Sequence, residues 1–208
     1  MTPPLSRLAA PLALGLAALL GPLQSVIWNG PDAPSWARTV ARAIEPSLSA
    51  GIAVSALAEP PPVYFSHGRL FVVVYLLLLV AVTGASAALG QRLSRVLRVL
   101  LAIATTADVL AYWLSEAAGP GLRKLAFWGI EVPVLVLLLV TLTLHGSRRL
   151  RASPSGWAFV LALPAGLLAT WALRYMPHGP VLGLAFALTV ETIASLRGEA
   201  LPSTEVAS

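Results

Sequence analysis

The sequence predicts an all-α membrane protein: a bundle of about six transmembrane helices with a long outer loop containing short interfacial helices. Three observations carry this. Of 208 residues, 57% are hydrophobic and only 11% charged, where a soluble domain carries about 25% charged residues. The apolar residues gather into segments of about 20, the length a helix needs to cross a hydrocarbon core. Arginines and Gly/Pro breaks fall between those segments, as loops at a membrane surface require. The organisation expected is one transmembrane domain over 1–200, with no sizeable soluble domain beside it, and a short polar tail at 201–208.

The first span is residues 5–27. Arg7 precedes its apolar run, as in a signal peptide, but Leu23-Gln24-Ser25 makes a poor cleavage site and a retained span is expected. Ala9, Ala13, Ala17 and Gly21 recur every four residues, a small-residue stripe suited to close helix packing. The outer loop, 29–66, is rich in proline. Pro34 to Glu45 reads as an amphipathic helix with Trp36, Val40 and Ile44 on one face and Arg38, Arg42 and Glu45 on the other, so it should lie at the interface or cap the bundle. Leu48 to Ala58 is a second apolar piece too short to span. Pro60-Pro61-Pro62 then enforces extended chain.

The second span is 68–89, followed at once by Arg92, Arg95 and Arg98. The third, 96–118, is the centre of the reading because it carries Asp108. Ten residues beyond Arg98, at 1.5 Å per residue, puts that carboxyl about 15 Å deep, near the middle of a core of about 30 Å. An aspartate there costs about 2.5–3.5 kcal/mol if it meets lipid, so it should face protein or water. Thr105, Asp108, Tyr112 and Glu116 follow one another at helical spacing and predict a polar stripe on one face, with Leu100, Ile103, Ala107, Leu110 and Leu114 opposite.

Gly119-Pro120-Gly121 breaks the chain before the fourth span, 127–145, which has Glu131 in its first turns and Arg148, Arg149 and Arg151 after it. The fifth span is 157–175; Pro164 lies inside it and should kink it, and Arg174 closes it. In the sixth, 180–196, Gly183, Ala187, Glu191 and Ser195 fall at steps of four. This sets Glu191 on a small-residue face at mid-depth. Six spans put both termini on one side together with the arginine triplets 92/95/98 and 148/149/151, and the excess of arginine there predicts cytoplasmic termini. Trp28, Tyr64, Trp113, Trp128, Trp171 and Tyr175 would form an aromatic belt at the outer end. The dominance of arginine, with a single lysine, Lys124, suggests a GC-rich bacterial genome and hence a bacterial cytoplasmic membrane.

Composition also excludes. The chain has no cysteine, so thiolate metal sites, disulfides and cysteine nucleophiles are ruled out. A net charge of +5 spread over span ends is no nucleic-acid footprint. No HExxH, GxSxG or paired metal-ligand spacing occurs; no catalytic residue, metal site or cofactor is indicated, and the balance is against an enzyme. The intramembrane polar set is Asp108, Glu191, Glu131, Tyr112, Glu116, Thr105 and Arg174. The role expected first is an accessory or structural subunit, embedded in the lipid bilayer beside a partner membrane protein or a second copy, with Asp108 and Glu191 stabilising the bundle. The alternative is a small transporter or ligand-binding membrane protein whose outward-facing polar cavity leads to those two carboxyls. A lipid-modifying enzyme is the third reading.

Overall fold

A computed structural model describes residues 5–55, 63–114, 119–150 and 156–200. The fold is an all-α membrane bundle, and five helices are long and apolar enough to span a membrane. Among the described residues the helices are α1 (Leu5–Asn29), α2 (Ser35–Ser55), α3 (Val63–Gly84), the short α4 (Ser86–Leu89), α5 (Gln91–Val109), the short α6 (Pro120–Lys124), α7 (Val132–Arg149), α8 (Gly156–Leu173) and α9 (His178–Ala200). Two of the long elements contain a π-helical turn: α5 continues through Leu110–Leu114, and α6 runs into α7 through Leu125–Glu131. The second expected span lies on α3, a helix of 22 residues whose part Gly68–Gly84 is apolar.

The helices close into a ring. α1 packs on α3 and α9, α3 on α5, α5 on α7, α7 on α8, and α8 on α9. Leu20, Leu78, Leu97, Leu101, Leu138, Leu142, Phe159 and Leu184 fill its interior and are fully buried. The outer surface is apolar as well: Leu12, Leu76, Val99, Leu137, Leu168 and Trp171 are exposed, as side chains facing lipid should be. Since lipid is as apolar as leucine, close backbone approach must supply the helix contacts. The α1 stripe does this inside the bundle, with Ala9, Ala13 and Ala17 at 0% exposure. At the α8–α9 contact, a Cβ on Gly183 would lie 2.3 Å from the Ala162 carbonyl oxygen, and one on Gly179 2.4 Å from that of Gly166.

Several local expectations change. Within the outer loop, Ser35–Ser55 forms one 21-residue helix, α2, running through Pro46, rather than two pieces; residues 56–62, with Pro60-Pro61-Pro62, lie outside the described residues. Among the described residues of α2, Ala37 and Ala41 are buried, while Trp36 and Val40 stay exposed; alanines permit a closer approach to α1 than a tryptophan face would. The fourth span starts seven residues earlier than expected, at Pro120. Pro164 lies inside α8, which runs from Gly156 to Leu173. In α5 the inward face is Leu97, Leu101, Ala104, Asp108 and Tyr112, joined by Leu100 and Ala107, whereas Ile103 and Leu114 face out. Glu116 and the tail 201–208 lie outside the described residues.

Ser6, Arg7, Gly84, Ala88 and Ser195 line one cavity, so the start of α1, the α3–α5 link and the end of α9 share one end of the bundle. The end of α1, the α6–α7 π turn and the α8–α9 turn meet toward the other. An Arg149 guanidinium NH donates to the Ala88 carbonyl and ties the α7–α8 link to the first end.

Candidate intramembrane polar site

Five polar side chains from five parts of the ring meet inside the bundle. Gln24 comes from α1, Tyr75 from α3, Asp108 from α5, Glu131 from the π turn before α7, and His178 from the first residue of α9. Their relative exposures run from 0 to 2%. Gln24, Asp108, Glu131 and His178 line one cleft together with Gly68, Phe71, Tyr112, Tyr175 and Pro177, and the space left among them is too small for a water molecule. The Tyr75 hydroxyl donates to Glu131 Oε1 at 2.6 Å. Beyond that bond the layer is under-satisfied. Both oxygens of Asp108, the second oxygen of Glu131, both polar atoms of Gln24 and both ring nitrogens of His178 are buried with no hydrogen-bond partner among the described residues.

The second layer is aromatic; helical spacing generates four of its members, and the α8–α9 turn supplies the fifth, Tyr175. One turn from each polar residue, toward the end of the bundle that carries the α8–α9 link, stands an aromatic one: Trp28 for Gln24, Phe71 for Tyr75, Tyr112 for Asp108, Phe127 for Glu131 and Tyr175 for His178. Trp28 stacks on Phe127 with ring centroids 5.9 Å apart, and Tyr175 lies 6.1 Å from Trp28 and 6.2 Å from Phe127. The Tyr112 and Tyr175 hydroxyls are hydrogen-bonded at 2.9 Å. Phe71 reaches deeper, 4.1 Å from the His178 ring. These contacts make a closed aromatic roof over the polar layer.

Backbone features fix both layers. A π turn carries an extra residue, which rotates the following helix by about 100° at 3.6 residues per turn. Asp108 lies just before one such turn and Tyr112 within it, while Glu131 ends the other. Gly68 makes room for the Tyr112 ring, since a Cβ there would lie 2.1 Å from it. Arg69 Nε donates to the Tyr112 carbonyl at 3.1 Å, and the Arg69 guanidinium lies over the Trp113 ring. The α8–α9 turn is tied to α1 at two points and to the α1–α2 link at a third: Ser25 Oγ donates to the Leu173 carbonyl, Asn29 Nδ2 to that of Arg174 at 3.1 Å, and Arg174 Nη1 to that of Asp32 at 2.9 Å. Arg174 holds a left-handed φ of 50° to make that turn.

Of the polar set expected from sequence, the structure brings together Asp108, Glu131 and Tyr112. Glu191 is elsewhere. It lies thirteen residues along α9 from His178, about 20 Å at 1.5 Å per residue, and lines the cavity at the termini end with Arg7 and Thr192. Thr105 is half-buried and its hydroxyl donates to the Leu101 carbonyl of its own helix at 2.7 Å. Arg174 acts at the surface, on Asp32, and does not line the cleft. Tyr175, expected in the aromatic belt, turns inward and is 3% exposed. The polar layer also sits nearer one end than mid-depth, because Gln24 is five residues from the end of α1 and His178 begins α9.

Sequence reasoning missed Gln24 and Tyr75 as parts of this site, and offered His178 only as one of two histidines in the outer half of the bundle. Tyr75 had a signal: it is the lone polar group in the run Leu70 to Val82. Among the described residues, no three His, Asp or Glu side chains stand in an arrangement that could hold a metal ion. Comparison with protein-family models, curated proteins and solved structures finds no match.

Proposed function

We propose that the chain is a polytopic integral membrane protein of the transport class, with an occluded site at Asp108 and Glu131 that takes up a proton or a small cation. The observation that supports this most is the set of buried atoms without partners on Gln24, Asp108, Glu131 and His178. Each such atom costs about 1–3 kcal/mol, against a net stability of about 5–15 kcal/mol for a typical folded protein. Packing alone would favour leucines there, so the polar groups are retained for something that visits them. Two carboxyls, a phenol, an amide and an imidazole are oxygen and nitrogen groups able to accept and pass a proton, or to replace part of the hydration shell of a small cation. Intramembrane carboxyls are the usual elements of such paths. In this reading the aromatic roof is the outer gate, and the Tyr112–Tyr175 hydrogen bond is its latch.

The absence of native cysteine makes the test direct. Asp108→Cys is placed in the full-length protein, and intact cells and inside-out vesicles are treated with a membrane-impermeant thiol reagent. The expected result is slow labelling from the roof side, speeded when Tyr175→Ala removes the latch. Protection from both sides, with and without Tyr175→Ala in a folded protein, would overturn the proposal. That outcome would favour a second reading, a static clamp in an accessory subunit, which the Tyr75–Glu131 bond and the waterless cleft also support.

A further inference from the structure

At the end opposite the roof, a groove of about 560 Å³ opens between the α4–α5 break and the last turns of α7. Its walls mix polar and apolar groups. Gln91, Arg92, His145 and Arg148 stand beside Leu93 and Leu144, and Val96 and Thr141 lie one helical turn deeper than Arg92 and His145. Arg92 and Arg148 are exposed, and Val96 and Leu144 are 41% and 54% exposed. No acidic side chain lines the groove among the described residues.

The backbone adds to this. Gly90 caps α5 with φ 81° and no side-chain bond. The first amides of a helix lack intrahelical acceptors, and its N-terminus carries partial positive charge. Gly90 and Gln91 line the groove, so these amides share it with two guanidinium groups.

We infer that this groove binds an anionic phospholipid of the adjoining leaflet. The phosphate sits between Arg92, Arg148 and the α5 N-terminus, and the acyl chain runs past Val96 and Leu144. A basic pocket between helices at a membrane surface fits an acidic headgroup, and the apolar wall below distinguishes a lipid from a soluble anion. This site is separate from the Asp108 cleft and does not depend on its function.

The test uses the full-length protein in detergent, titrated with phosphatidylglycerol, with phosphatidylcholine, and with inorganic phosphate, while thermal unfolding is followed. Phosphatidylglycerol should raise the midpoint and phosphatidylcholine should not. Each basic residue near an anionic lipid surface is worth about fivefold in binding, so the Arg92→Gln/Arg148→Gln double variant should need about 25-fold more phosphatidylglycerol for the same shift. An Arg123→Gln/Lys124→Gln control at the other end should respond as the unaltered protein does. If the double variant does not fold, Arg92→Gln alone should show about a fivefold loss. An equal response to phosphatidylcholine, an unchanged response in the arginine variants, or a full shift with inorganic phosphate would each overturn the proposal.

Discussion

Asp108 and Glu131 stand in one cleft but in different circumstances: one Glu131 oxygen receives the Tyr75 hydroxyl, and neither Asp108 oxygen receives anything among the described residues. The two positions should therefore respond in opposite ways to substitution. Tyr75→Phe deletes the one donor to Glu131 and should lower unfolding stability in detergent by about 1–3 kcal/mol. Asp108→Asn deletes no hydrogen bond and relieves the burial of two carboxyls in one cleft, so stability should be unchanged or higher, with ion or proton uptake into proteoliposomes lost. A large loss of stability in Asp108→Asn would instead make that residue a structural clamp. Asp108 was legible in the sequence because an aspartate in an apolar run is conspicuous. Its partner was not. Glu131 and Glu191 both looked available, and the choice depends on which way each helix is turned and where it begins. Tyr75 was passed over although its hydroxyl is the lone polar group in its apolar run, since a tyrosine among leucines and valines reads as packing until that hydroxyl is seen on a carboxyl.

At the scale of the elements, apolar runs and arginine breaks located the helices, but their registers came from features that periodicity does not encode. The π turn at Leu125–Glu131 and the start of the helix at Pro120 moved Glu131 from the first turns of a span to the interior. The exposure of Trp36 and burial of Ala37 and Ala41 show the same effect in α2, where close approach outweighed side-chain hydrophobicity. Small residues were the more dependable guide. The α1 stripe is buried as its spacing implied, and Gly183 of the sixth-span stripe meets α8 at backbone distance. This contact also positions the site, because α9 begins with His178. A Cβ at Gly179 would lie 1.8 Å from Thr170 Oγ1 as well as 2.4 Å from the Gly166 carbonyl oxygen, and the carbonyl belongs to backbone that cannot swing aside. Gly179→Ala should thus lower stability by about 1–3 kcal/mol, the usual range for overpacking, measured by denaturant unfolding in detergent. Gly121→Ala, where nothing lies within 4 Å, should leave stability unchanged.

For the whole molecule, the ring has two dissimilar ends. One carries the aromatic roof with Trp28, Trp113, Trp128 and Trp171 around it, all exposed. The other carries both termini ends of the described chain with Arg7, Arg92, Arg95, Arg98, Arg148, Arg149 and Arg197, a small excess over the Arg38, Arg42, Arg69, Arg123, Lys124 and Arg174 of the roof end. Arginine is retained on the cytoplasmic side because short basic loops resist translocation, so the polarity predicts a cytoplasmic arginine end and an outward-facing roof. Both proposed sites inherit this orientation: the Asp108 cleft would exchange with the outside through the roof, and the groove at Arg92 and Arg148 would meet the inner leaflet, where anionic lipid attracts basic residues. Two single-cysteine variants decide it. Gly121→Cys lies in open space at the roof end, and Ser147→Cys is exposed at the arginine end. In intact cells, an impermeant thiol reagent should label Gly121→Cys and spare Ser147→Cys until the membrane is permeabilised. The reverse pattern would turn the molecule over, placing the roof toward the cytoplasm. A lipid bound at Arg92 would then have to be drawn from the outer leaflet.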